Sequence, residues 1–399
     1  MTFSNTVGII CEYDPFHLGH VRHIRLTRRL AGEDAVVICA MSGSFTQRGD
    51  LAMFPKWDRA ACALSEADVV VELPLSGSLS SGELFAVRGV QTLDAMGAKY
   101  LSFGSESGSV EPLMRAADAI LSAEYPPLLR QALDSGASYA SAAQTALSAI
   151  LGDGARVLLT PNNLLGIEYL KAIRNLDSPM EPMTVRRPAS RDPVSSARVR
   201  AAVLNGEDFR GTVPAVTFDA IRRLISSGDA PARAENCQKA LMLKLRSMSA
   251  RDFAALPRCT EGLDAKLESA CRNACSVEAV IDAVKSRRYA RTRIQRLIMC
   301  ALLDLDASYF EQPPAFIRLL GATDRGRAFL RRNRDAFSLP IISRASEVKK
   351  LPYAARRQFD ALSAATDLHY MALPGDRIYP AGMEWRRGPV FPDSSAAGI

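Results

Sequence analysis

Two histidines in a short turn are the residues of this 399-residue sequence best suited to chemistry. His17 and His20 flank Leu18-Gly19, directly after an apolar run at residues 7–11. An imidazole can donate a hydrogen bond to a phosphate oxygen without carrying a charge. Gly19 lets a flat group lie against the backbone, and the helix that begins at His20 offers free N–H groups and a partial positive charge. The turn is therefore predicted to bind phosphate.

The elements that must position this turn alternate between strands and helices. Short apolar runs predict strands at residues 7–11, 35–40, 69–71, 100–103 and 183–185. Helical patterns follow them at 21–30, 56–65, 83–96, 110–122, 126–150, 163–174 and 195–204. This order predicts an α/β fold with a Rossmann-like parallel sheet covered by helices. Ligands bind beyond the carboxyl ends of the strands in such a sheet, which is where the histidine turn lies.

The character of the sequence changes near residue 215. Strand-like runs vanish there, and helical periodicity dominates over 215–226, 237–247, 263–274, 277–286, 292–305 and 352–365. We therefore predict three regions along the chain. A nucleotide-binding catalytic domain spans 1–210, an α-helical domain spans 211–375, and a Gly/Pro-rich tail spans 376–399.

Composition excludes several classes of protein. The first 200 residues carry 19 basic and 21 acidic side chains, whereas the remainder carries 31 and 22, so only the second half is basic. No segment approaches the roughly 18–20 apolar residues of a membrane span. The N-terminus lacks the pattern of a secretory signal. Eight scattered cysteines without a CxxC pair predict free thiols, no metal site and a reducing, cytoplasmic compartment.

Other polar residues follow predicted strands and belong to the same edge of the sheet. Ser42 and Gly43 begin a loop that carries Gln47 and Arg48, which either contacts a substrate or is an ordinary surface loop. Gly104 ends the fourth strand, where the missing side chain lets a nucleotide approach the backbone.

Three more groups have both a binding and a structural interpretation. Arg186-Arg187 ends a strand, and a guanidinium there can hold phosphate through two hydrogen bonds. Arg187 is the favoured ATP contact of the two. The alternative is that both arginines are solvated. Asn162-Asn163 and Ser195-Ser196 stand at helix starts, where their side chains would serve equally well as caps. His23, one turn beyond His20, is predicted to lie on a helix surface.

Together these motifs resemble the tRNA(Met) cytidine acetate ligases of bacteria, members of the HIGH-type nucleotidylyl transferase superfamily. The specific segments are Gly8 to His20, Met41-Ser42-Gly43-Ser44-Phe45-Thr46-Gln47-Arg48-Gly49, Lys56-Trp57-x-Arg59, Val71-Glu72-Leu73-Pro74, Phe103-Gly104-Ser105-Glu106 and Pro161-Asn162-Asn163-Leu164-Leu165-Gly166-Ile167-Glu168-Tyr169. Weaker similarity continues at Thr292-Arg293-Ile294-Gln295-Arg296 and Asp367-Leu368-His369-Tyr370. The chain departs from the family at Asp14, where Asn is frequent, at Leu18, where Asn or another polar residue is expected, and at residues 188–192.

The resemblance implies a two-step reaction. ATP and acetate form acetyl-adenylate and pyrophosphate, and the acetyl group then passes to N4 of the wobble cytidine of elongator tRNA(Met). His17 and His20 are implied to be catalytic contacts to phosphate. Asp14 is implied to orient a histidine or a metal-bound water, or simply to cap the turn. Mg²⁺ is expected to accompany ATP, with no tightly bound metal.

The resemblance also implies sets of binding residues. The ATP-binding residues are Val7, Gly8, Ile9, Ile10, Cys11, Glu12, Tyr13, Asp14, Pro15, Phe16, His17, Leu18, Gly19, His20, Gly104, Asn162, Asn163, Arg187, Ser195 and Ser196. The substrate loop holds Ser42, Gly43, Gln47 and Arg48. The basic half is expected to bind tRNA through Arg287, Arg288, Arg291, Arg293, Arg296, Arg331 and Arg332, since arginine contacts phosphates and stacks on unpaired bases. The alternative is that these arginines form solvated helix faces.

Other functions remain open at this point. A pantothenate synthetase-like ligase shares the acyl-adenylate chemistry, and an adenylyl transferase shares the fold, but neither requires a basic helical half. A class I aminoacyl-tRNA synthetase is disfavoured because no KMSKS-like sequence appears. A non-catalytic RNA-binding protein with a retained nucleotide fold is the third alternative, against which the intact histidine pair argues. The sequence does not predict an oligomeric state.

Overall fold

The computed structural model describes residues 5–187, 194–286 and 288–392. Within these ranges the chain forms seven strands and twenty α-helices. The strands are β1 (Thr6–Cys11), β2 (Val36–Ser42), β3 (Val69–Leu73), β4 (Tyr100–Ser105), β5 (Glu181–Arg186), β6 (Ile317–Ala322) and β7 (Ile341–Ile342). The helices up to β5 are α1 (Leu18–Ala31), α2 (Lys56–Ala63), α3 (Leu75–Ser78), α4 (Gly82–Ala95), α5 (Val110–Leu121), α6 (Tyr125–Asp134), α7 (Tyr139–Leu151) and α8 (Pro161–Asn175).

The remaining helices follow β5. They are α9 (Ser196–Asn205), α10 (Ala215–Ser227), α11 (Gln238–Ser247), α12 (Ala250–Ala254), α13 (Leu263–Asn273), α14 (Val277–Val284), α15 (Arg291–Leu302), α16 (Ala307–Glu311), α17 (Asp324–Arg332), α18 (Ala345–Val348), α19 (Tyr353–Met371) and α20 (Met383–Arg386). In the portion of the chain that the structure describes, no helix has both the length and the apolarity to cross a membrane.

The centre of the molecule is a seven-stranded sheet in the order β5-β4-β1-β2-β3-β6-β7. The five strands of the first half are parallel to one another, with Thr6 opposite Val36 and Cys11 opposite Met41 between β1 and β2. The predicted α/β fold is therefore confirmed. From β1 the chain adds β2 and β3 on one side of the sheet and then crosses to add β4 and β5 on the other side of β1. The order of strands therefore reverses between β1 and β4. That reversal opens a crevice beyond the carboxyl ends of the two strands.

The central strands β1, β2, β3 and β4 are largely buried on both faces because their sequences are mostly continuous apolar runs. Every residue of β2 and β3 is buried. Alternate side chains point to opposite faces, so Ile10 packs with α4 and α8 while Ile9 packs with α1 and α2. Burying one such side chain stabilises the fold by about 1.5–3 kcal/mol.

The prediction that strands vanish after residue 215 is wrong. β6 pairs antiparallel with β3, and β7 pairs with β6, so the second half extends the sheet. Arg318 is the second residue of β6 and interrupts its apolar pattern, so the sequence does not predict this strand. The side chain is only 1% exposed, and its Nε donates to Oε1 of Glu384 at 2.6 Å. The limits of the three predicted regions stay a prediction.

A second difference concerns the helix predicted at 126–150. It is two helices, α6 and α7, and Gly136 lies between them with a φ of +85°. That backbone conformation suits glycine and ends a helix.

The helices of the second half form a core of their own, which packs against the first half. Side chains of α11, α13, α14, α15 and α19 make up most of this core. Phe45, Leu75 and Leu79 from the first half belong to the same cluster. The loop after β2 and helix α3 thus pack against the helical region.

Candidate active site

The histidine turn is fixed by hydrogen bonds at the start of α1. Nδ1 of His17 accepts from the N–H of Gly19 at 3.0 Å, and Nδ1 of His20 accepts from the N–H of His17 at 3.3 Å. These bonds satisfy backbone donors that the first turn of a helix leaves without partners. A β-carbon on Gly19 would lie 2.8 Å from Cε1 of His17, so this close approach requires glycine.

The two imidazoles are stacked, with ring centroids 3.7 Å apart. Burial, followed by the neighbouring His17 and Arg187, lowers the pKa of His20 well below its ordinary value, so this ring is neutral at pH 7. Because Nδ1 of His20 accepts a hydrogen bond, its proton is on Nε2, and that N–H is the donor it can offer a phosphate oxygen. His20 lines the cavity described below, whereas His17 is 1% exposed and lies behind it.

Asp14 holds the turn against the following segment. Its carboxylate accepts hydrogen bonds from the N–H groups of Met53 at 2.9 Å and Phe54 at 3.3 Å. Its carbonyl oxygen accepts from Nη1 of Arg200, on α9, at 2.6 Å. The side chain is 2% exposed and does not line the cavity. Of the roles that the sequence left open for Asp14, the structure supports the one of fixing the turn.

A cavity of about 860 Å³ opens where the order of strands reverses. Its lining comes from the ends of β1 and β4, from α1, α4 and α8, and from the loop after β2. The lining residues are Ile9, Ile10, Cys11, Glu12, Tyr13, His20, His23, Gln47, Arg48, Ser81, Gly82, Glu83, Phe85, Phe103, Gly104, Tyr139, Pro161, Asn162, Leu164, Leu165, Glu168, Tyr169, Lys171, Arg187, Ser196 and Arg258. This volume is in the range of about 300–1,000 Å³ that is usual for sites binding small molecules and cofactors.

Arg187 and Asn162 form one wall of the cavity. Nη1 of Arg187 donates to Oδ1 of Asn162 at 3.1 Å, and Nδ2 of Asn162 donates to Oε1 of Glu106 at 2.6 Å. The side chain of Arg187 crosses Gly104, where a β-carbon would lie 2.5 Å from Cδ of the arginine. Gly104 therefore makes room for Arg187. This arrangement presents a fixed guanidinium to the cavity.

The structure distinguishes between neighbours that the sequence left unresolved. Oδ1 of Asn163 accepts from the N–H groups of Glu106 and Ser107, so Asn163 orders the loop after β4 and lies outside the lining. Ser195 caps α9 by accepting from the N–H of Arg198 at 3.4 Å, whereas Ser196 faces the cavity.

Ten of the predicted ATP-binding residues lie on the cavity wall: Ile9, Ile10, Cys11, Glu12, Tyr13, His20, Gly104, Asn162, Arg187 and Ser196. The others are not brought to the wall. Val7 and Gly8 lie deeper in β1, and Gly8 packs against Leu93. Pro15, Phe16 and Gly19 belong to the turn behind His20, and Leu18 is 39% exposed outside it.

The loop after β2 divides in the same way. Gln47 and Arg48 line the cavity, and the N–H of Gln47 donates to Oε1 of Glu12 at 2.6 Å. Ser42 and Gly43 are buried behind the wall, where a β-carbon on Gly43 would collide with the carboxylate of Glu72. Burial raises the pKa of Glu12, which stands at the end of β1.

Several residues of the wall were not predicted. His23 was expected on a helix surface, and this is wrong: it lines the cavity, and its Nε2 lies 3.1 Å from Oγ of Ser102. Burial lowers the pKa of His23 to about 4. Glu168 and Lys171, paired at 2.8 Å on α8, also line it. The helical spacing of His20 and His23 was the available signal for His23, and nothing in the sequence marks the α8 pair.

The arginines predicted to bind tRNA occupy different places, and their role stays a prediction. Arg287 lies outside the described residues. Three are engaged with acidic or backbone groups around α15: Arg288 with Glu261, Arg291 with Glu278, and Arg293 with the carbonyl oxygen of Arg258. Arg296 donates to the carbonyl oxygen of Gln47 at 3.0 Å, next to the cavity. Arg331 and Arg332 end α17, which begins at the opposite edge of the sheet, beside Asp68.

Two chemical features can be stated for the described residues of the chain. They contain no group of three or more His, Cys, Asp or Glu side chains that could hold a metal ion. All eight cysteines are free thiols.

Known proteins are similar to this chain over most of its length. A family model described as HIGH Nucleotidyl Transferase matches residues 4–379. A tRNA(Met) cytidine acetate ligase of Acetivibrio thermocellus is 32% identical, covering 96% of this chain and 99% of the relative. One from Syntrophotalea carbinolica is 38% identical, covering 86% and 85%. The crystal structure of Thermotoga maritima TmcAL bound with α-thio ATP is similar at a TM-score of 0.90 and 29% identity, over 97% of this chain and 99% of that one. The chain therefore belongs to the tRNA(Met) cytidine acetate ligase family of HIGH nucleotidyl transferases.

Proposed function

We propose that this protein is an ATP-dependent tRNA(Met) cytidine acetate ligase that activates acetate as acetyl-adenylate. The acetyl group then passes to N4 of the wobble cytidine of elongator tRNA(Met). The observation that carries the proposal is the single cavity wall on which His20, Asn162 and Arg187 converge, in a chain of this family. A neutral hydrogen-bond donor and a fixed guanidinium can stabilise the negative charge that develops on a triphosphate when its α-phosphorus is attacked.

In the first step, an oxygen of acetate attacks the α-phosphorus of ATP, and the bond to the β-phosphate oxygen breaks to release pyrophosphate. Negative charge grows on the phosphate oxygens during this displacement. His20 donates its Nε2 proton in a hydrogen bond to those oxygens, and Arg187 supplies positive charge. The amino end of α1 adds a favourable dipole. The protein therefore accelerates the step by alignment and charge stabilisation.

Asn162 and His17 act through other residues in this mechanism. Asn162 accepts from Arg187 and thereby fixes the guanidinium. His17 accepts from Gly19 and stacks on His20, which fixes the orientation of the ring that contacts ATP. Mg²⁺ bound together with ATP would add positive charge that screens the pyrophosphate as it leaves.

In the second step, N4 of the cytidine attacks the acetyl carbonyl carbon, and the bond between that carbon and the AMP oxygen breaks. AMP leaves and the nitrogen loses one proton, which gives N4-acetylcytidine. The acyl-adenylate is already activated, so the protein has only to bring N4 close to it. Both ATP and tRNA are cytoplasmic, and eight free thiols fit that reducing compartment, so we place the enzyme there.

Exchange of labelled pyrophosphate into ATP tests the first step. We expect exchange that depends on acetate and needs no tRNA. His20→Ala should lower its rate about 100-fold, as loss of one donor to a developing oxyanion usually does, and His20→Asn should retain more activity because it keeps an N–H donor. Exchange that requires pantoate instead of acetate would establish the pantothenate synthetase-like alternative. Tight tRNA binding without exchange on any carboxylate would establish the non-catalytic one.

A further inference from the structure

A second cavity, of about 240 Å³, adjoins the active-site cavity and shares Ser81 and Arg258 with it. It lies where the segment before α4 meets α15 and the turn before α13. Its lining consists of Leu79, Ser80, Ser81, Leu84, Pro257, Arg258, Arg293, Arg296, Leu297, Cys300 and Phe310. We call it the arginine pocket.

The arginine pocket combines an apolar floor with a positively charged rim. Leu79, Leu297, Cys300 and Phe310 are buried and provide the floor. Three guanidinium groups, those of Arg258, Arg293 and Arg296, belong to the lining, which includes no acidic side chain. Aromatic bases are recognised by such a combination, because a flat ring packs on apolar or guanidinium surfaces while its phosphate pairs with arginine.

The residues that the structure describes place little negative charge beside the three arginines of the rim. Arg293 and Arg296 donate to carbonyl oxygens, of Arg258 at 2.6 Å and of Gln47 at 3.0 Å. Among the described residues, Glu83 is an acidic partner of Arg258 at 3.8 Å, and the side chains of Arg258 and Glu83 are 75% and 56% exposed. An exposed pair of that kind stabilises little. Burial lowers the pKa of Arg296, and the like charges of Arg293 and Arg258 lower it further.

The size and the position of the arginine pocket limit the kind of ligand that it can hold. The pocket is smaller than the roughly 300 Å³ at which sites for whole small-molecule ligands begin, so it suits a single group within a larger molecule. Because the pocket shares a wall with the active-site cavity, a group bound in it lies next to the reacting centre. A single-stranded RNA meets both conditions, since its successive bases are joined by phosphates at short intervals.

We propose that the arginine pocket binds the unpaired nucleotide next to the reactive cytidine in the anticodon loop, with its base on the apolar floor and its phosphate on the arginines. This inference rests on the proposed function. It assigns the pocket the task of holding the loop so that the cytidine enters the neighbouring cavity.

Two variants outside the active-site lining test the pocket. Arg293→Ala removes one rim charge, and Leu84→Trp fills the space above the floor. Each should weaken binding of tRNA(Met) at least about tenfold, in line with the loss of one stacked base, while acetate-dependent pyrophosphate exchange without tRNA stays within about twofold. Arg291→Ala is the matched control. It removes the same charge from the same helix, but Arg291 is paired with Glu278 and Asp282 away from the pocket. Arg291 is also among the arginines that the sequence predicts to bind tRNA, so the pocket requires only that its loss weaken tRNA binding clearly less than the loss of Arg293.

Two anticodon stem–loop RNAs identify the nucleotide that occupies the pocket. One lacks the base immediately before the wobble cytidine, and the other lacks the base immediately after it. One of the two abasic RNAs should bind the wild type more weakly, and Leu84→Trp should then cause no further loss. Three results would overturn the assignment. Both variants could bind tRNA as tightly as the wild type, or Arg291→Ala and Arg293→Ala could weaken binding equally. The third is that the loss caused by Leu84→Trp adds to the loss caused by the missing base with both abasic RNAs. Absence of acetate-dependent exchange in the wild type would instead refute the proposed function, so the two failures are distinguishable.

Discussion

At the residue scale, the surrounding residues determine which of two adjacent arginines, Arg186 or Arg187, reaches the active-site cavity. Arg186 and Arg187 are adjacent in the sequence, but only Arg187 reaches the cavity, because its side chain crosses Gly104 and meets Asn162. Arg186 packs instead beside Gly108. A strand places successive side chains on opposite sides, which explains how two identical residues come to differ.

Arg187→Ala should therefore raise the KM for ATP by about 10- to 100-fold, since a hydrogen bond to a charged group contributes about 1.5–3 kcal/mol. Steady-state exchange kinetics over a range of ATP concentrations measure this. Arg186→Ala is the control and should leave the KM within about twofold. An equal rise in both variants would mean that general positive charge matters rather than the position of Arg187.

A buried histidine makes the stability of the fold depend on pH. His369 is 2% exposed, its Nε2 lies 2.8 Å from the carbonyl oxygen of Ala52, and burial with the nearby Arg59 lowers its pKa to about 3. The unfolded chain binds a proton at this residue below about pH 6.5, and the folded chain does not. The free energy of unfolding should consequently fall as the pH is lowered, by about 1.4 kcal/mol per pH unit from this residue, until the pH nears 3.

Urea unfolding at pH 7 and pH 5 checks this contribution. His369→Gln keeps a donor for Ala52 but cannot titrate. The variant should lose about 2 kcal/mol less than the wild type over that interval, which is the contribution of one and a half pH units below 6.5. The same loss in both proteins would show that His369 does not supply the effect.

At the element scale, the loop after β2 is positioned by α15. Oδ1 of Asp50 accepts from Nε2 of Gln295 at 2.7 Å, and the carbonyl oxygen of Gln47 accepts from Arg296. Gly49 has a φ of +89°, and a β-carbon there would lie 2.6 Å from the backbone nitrogen of Arg296. A helix of the second half thus sets the position of a loop that lines the active site.

Gly49→Ala should destabilise the protein more than Gly97→Ala. Both glycines have positive φ, but an added β-carbon at Gly97 meets no atom within 4 Å. The Gly97 variant should lose about 1 kcal/mol from backbone strain, and the Gly49 variant about 1–3 kcal/mol more from overpacking. Urea denaturation gives both values. Pyrophosphate exchange should fall only in the Gly49 variant, and similar losses of stability in the two variants would contradict the role of α15.

The elements show where inference from the sequence succeeds and where it stops. The sequence predicts the five parallel strands because their apolar runs are local signals. It also predicts the turn at His17 and His20, because Pro15 and Gly19 nearby interrupt regular structure. β6 was missed because Arg318 is paired with Glu384, which lies far along the chain. His23, Glu168 and Lys171 were missed because residues on separate helices converge on the cavity only in three dimensions.

At the scale of the whole molecule, charge is divided between two tasks. The first half is nearly neutral and provides most of the active-site cavity. The basic second half contributes Arg258 to the lining of that cavity and Arg293 and Arg296 to the adjoining arginine pocket. Small-molecule activation and RNA binding should then respond differently to salt. Binding to RNA phosphates releases counterions and weakens steeply as salt rises.

The logarithm of the tRNA association constant should fall with the logarithm of salt concentration with a slope of roughly −4, as expected for about five phosphate contacts. The KM for ATP in the exchange reaction should change far less. Filter binding and exchange assays between low and moderate potassium chloride measure the two. A tRNA affinity that is insensitive to salt would contradict RNA recognition by the basic half.

The central claim is that acetate is joined to one cytidine of tRNA(Met), and mass analysis of the nucleosides tests it most directly. Unmodified tRNA(Met) is incubated with the protein, ATP and isotopically labelled acetate, digested and analysed. We predict N4-acetylcytidine carrying the label, formed only when ATP is present and lost with His20→Ala. Cytidine that remains unmodified while the protein binds tRNA and ATP would contradict the account.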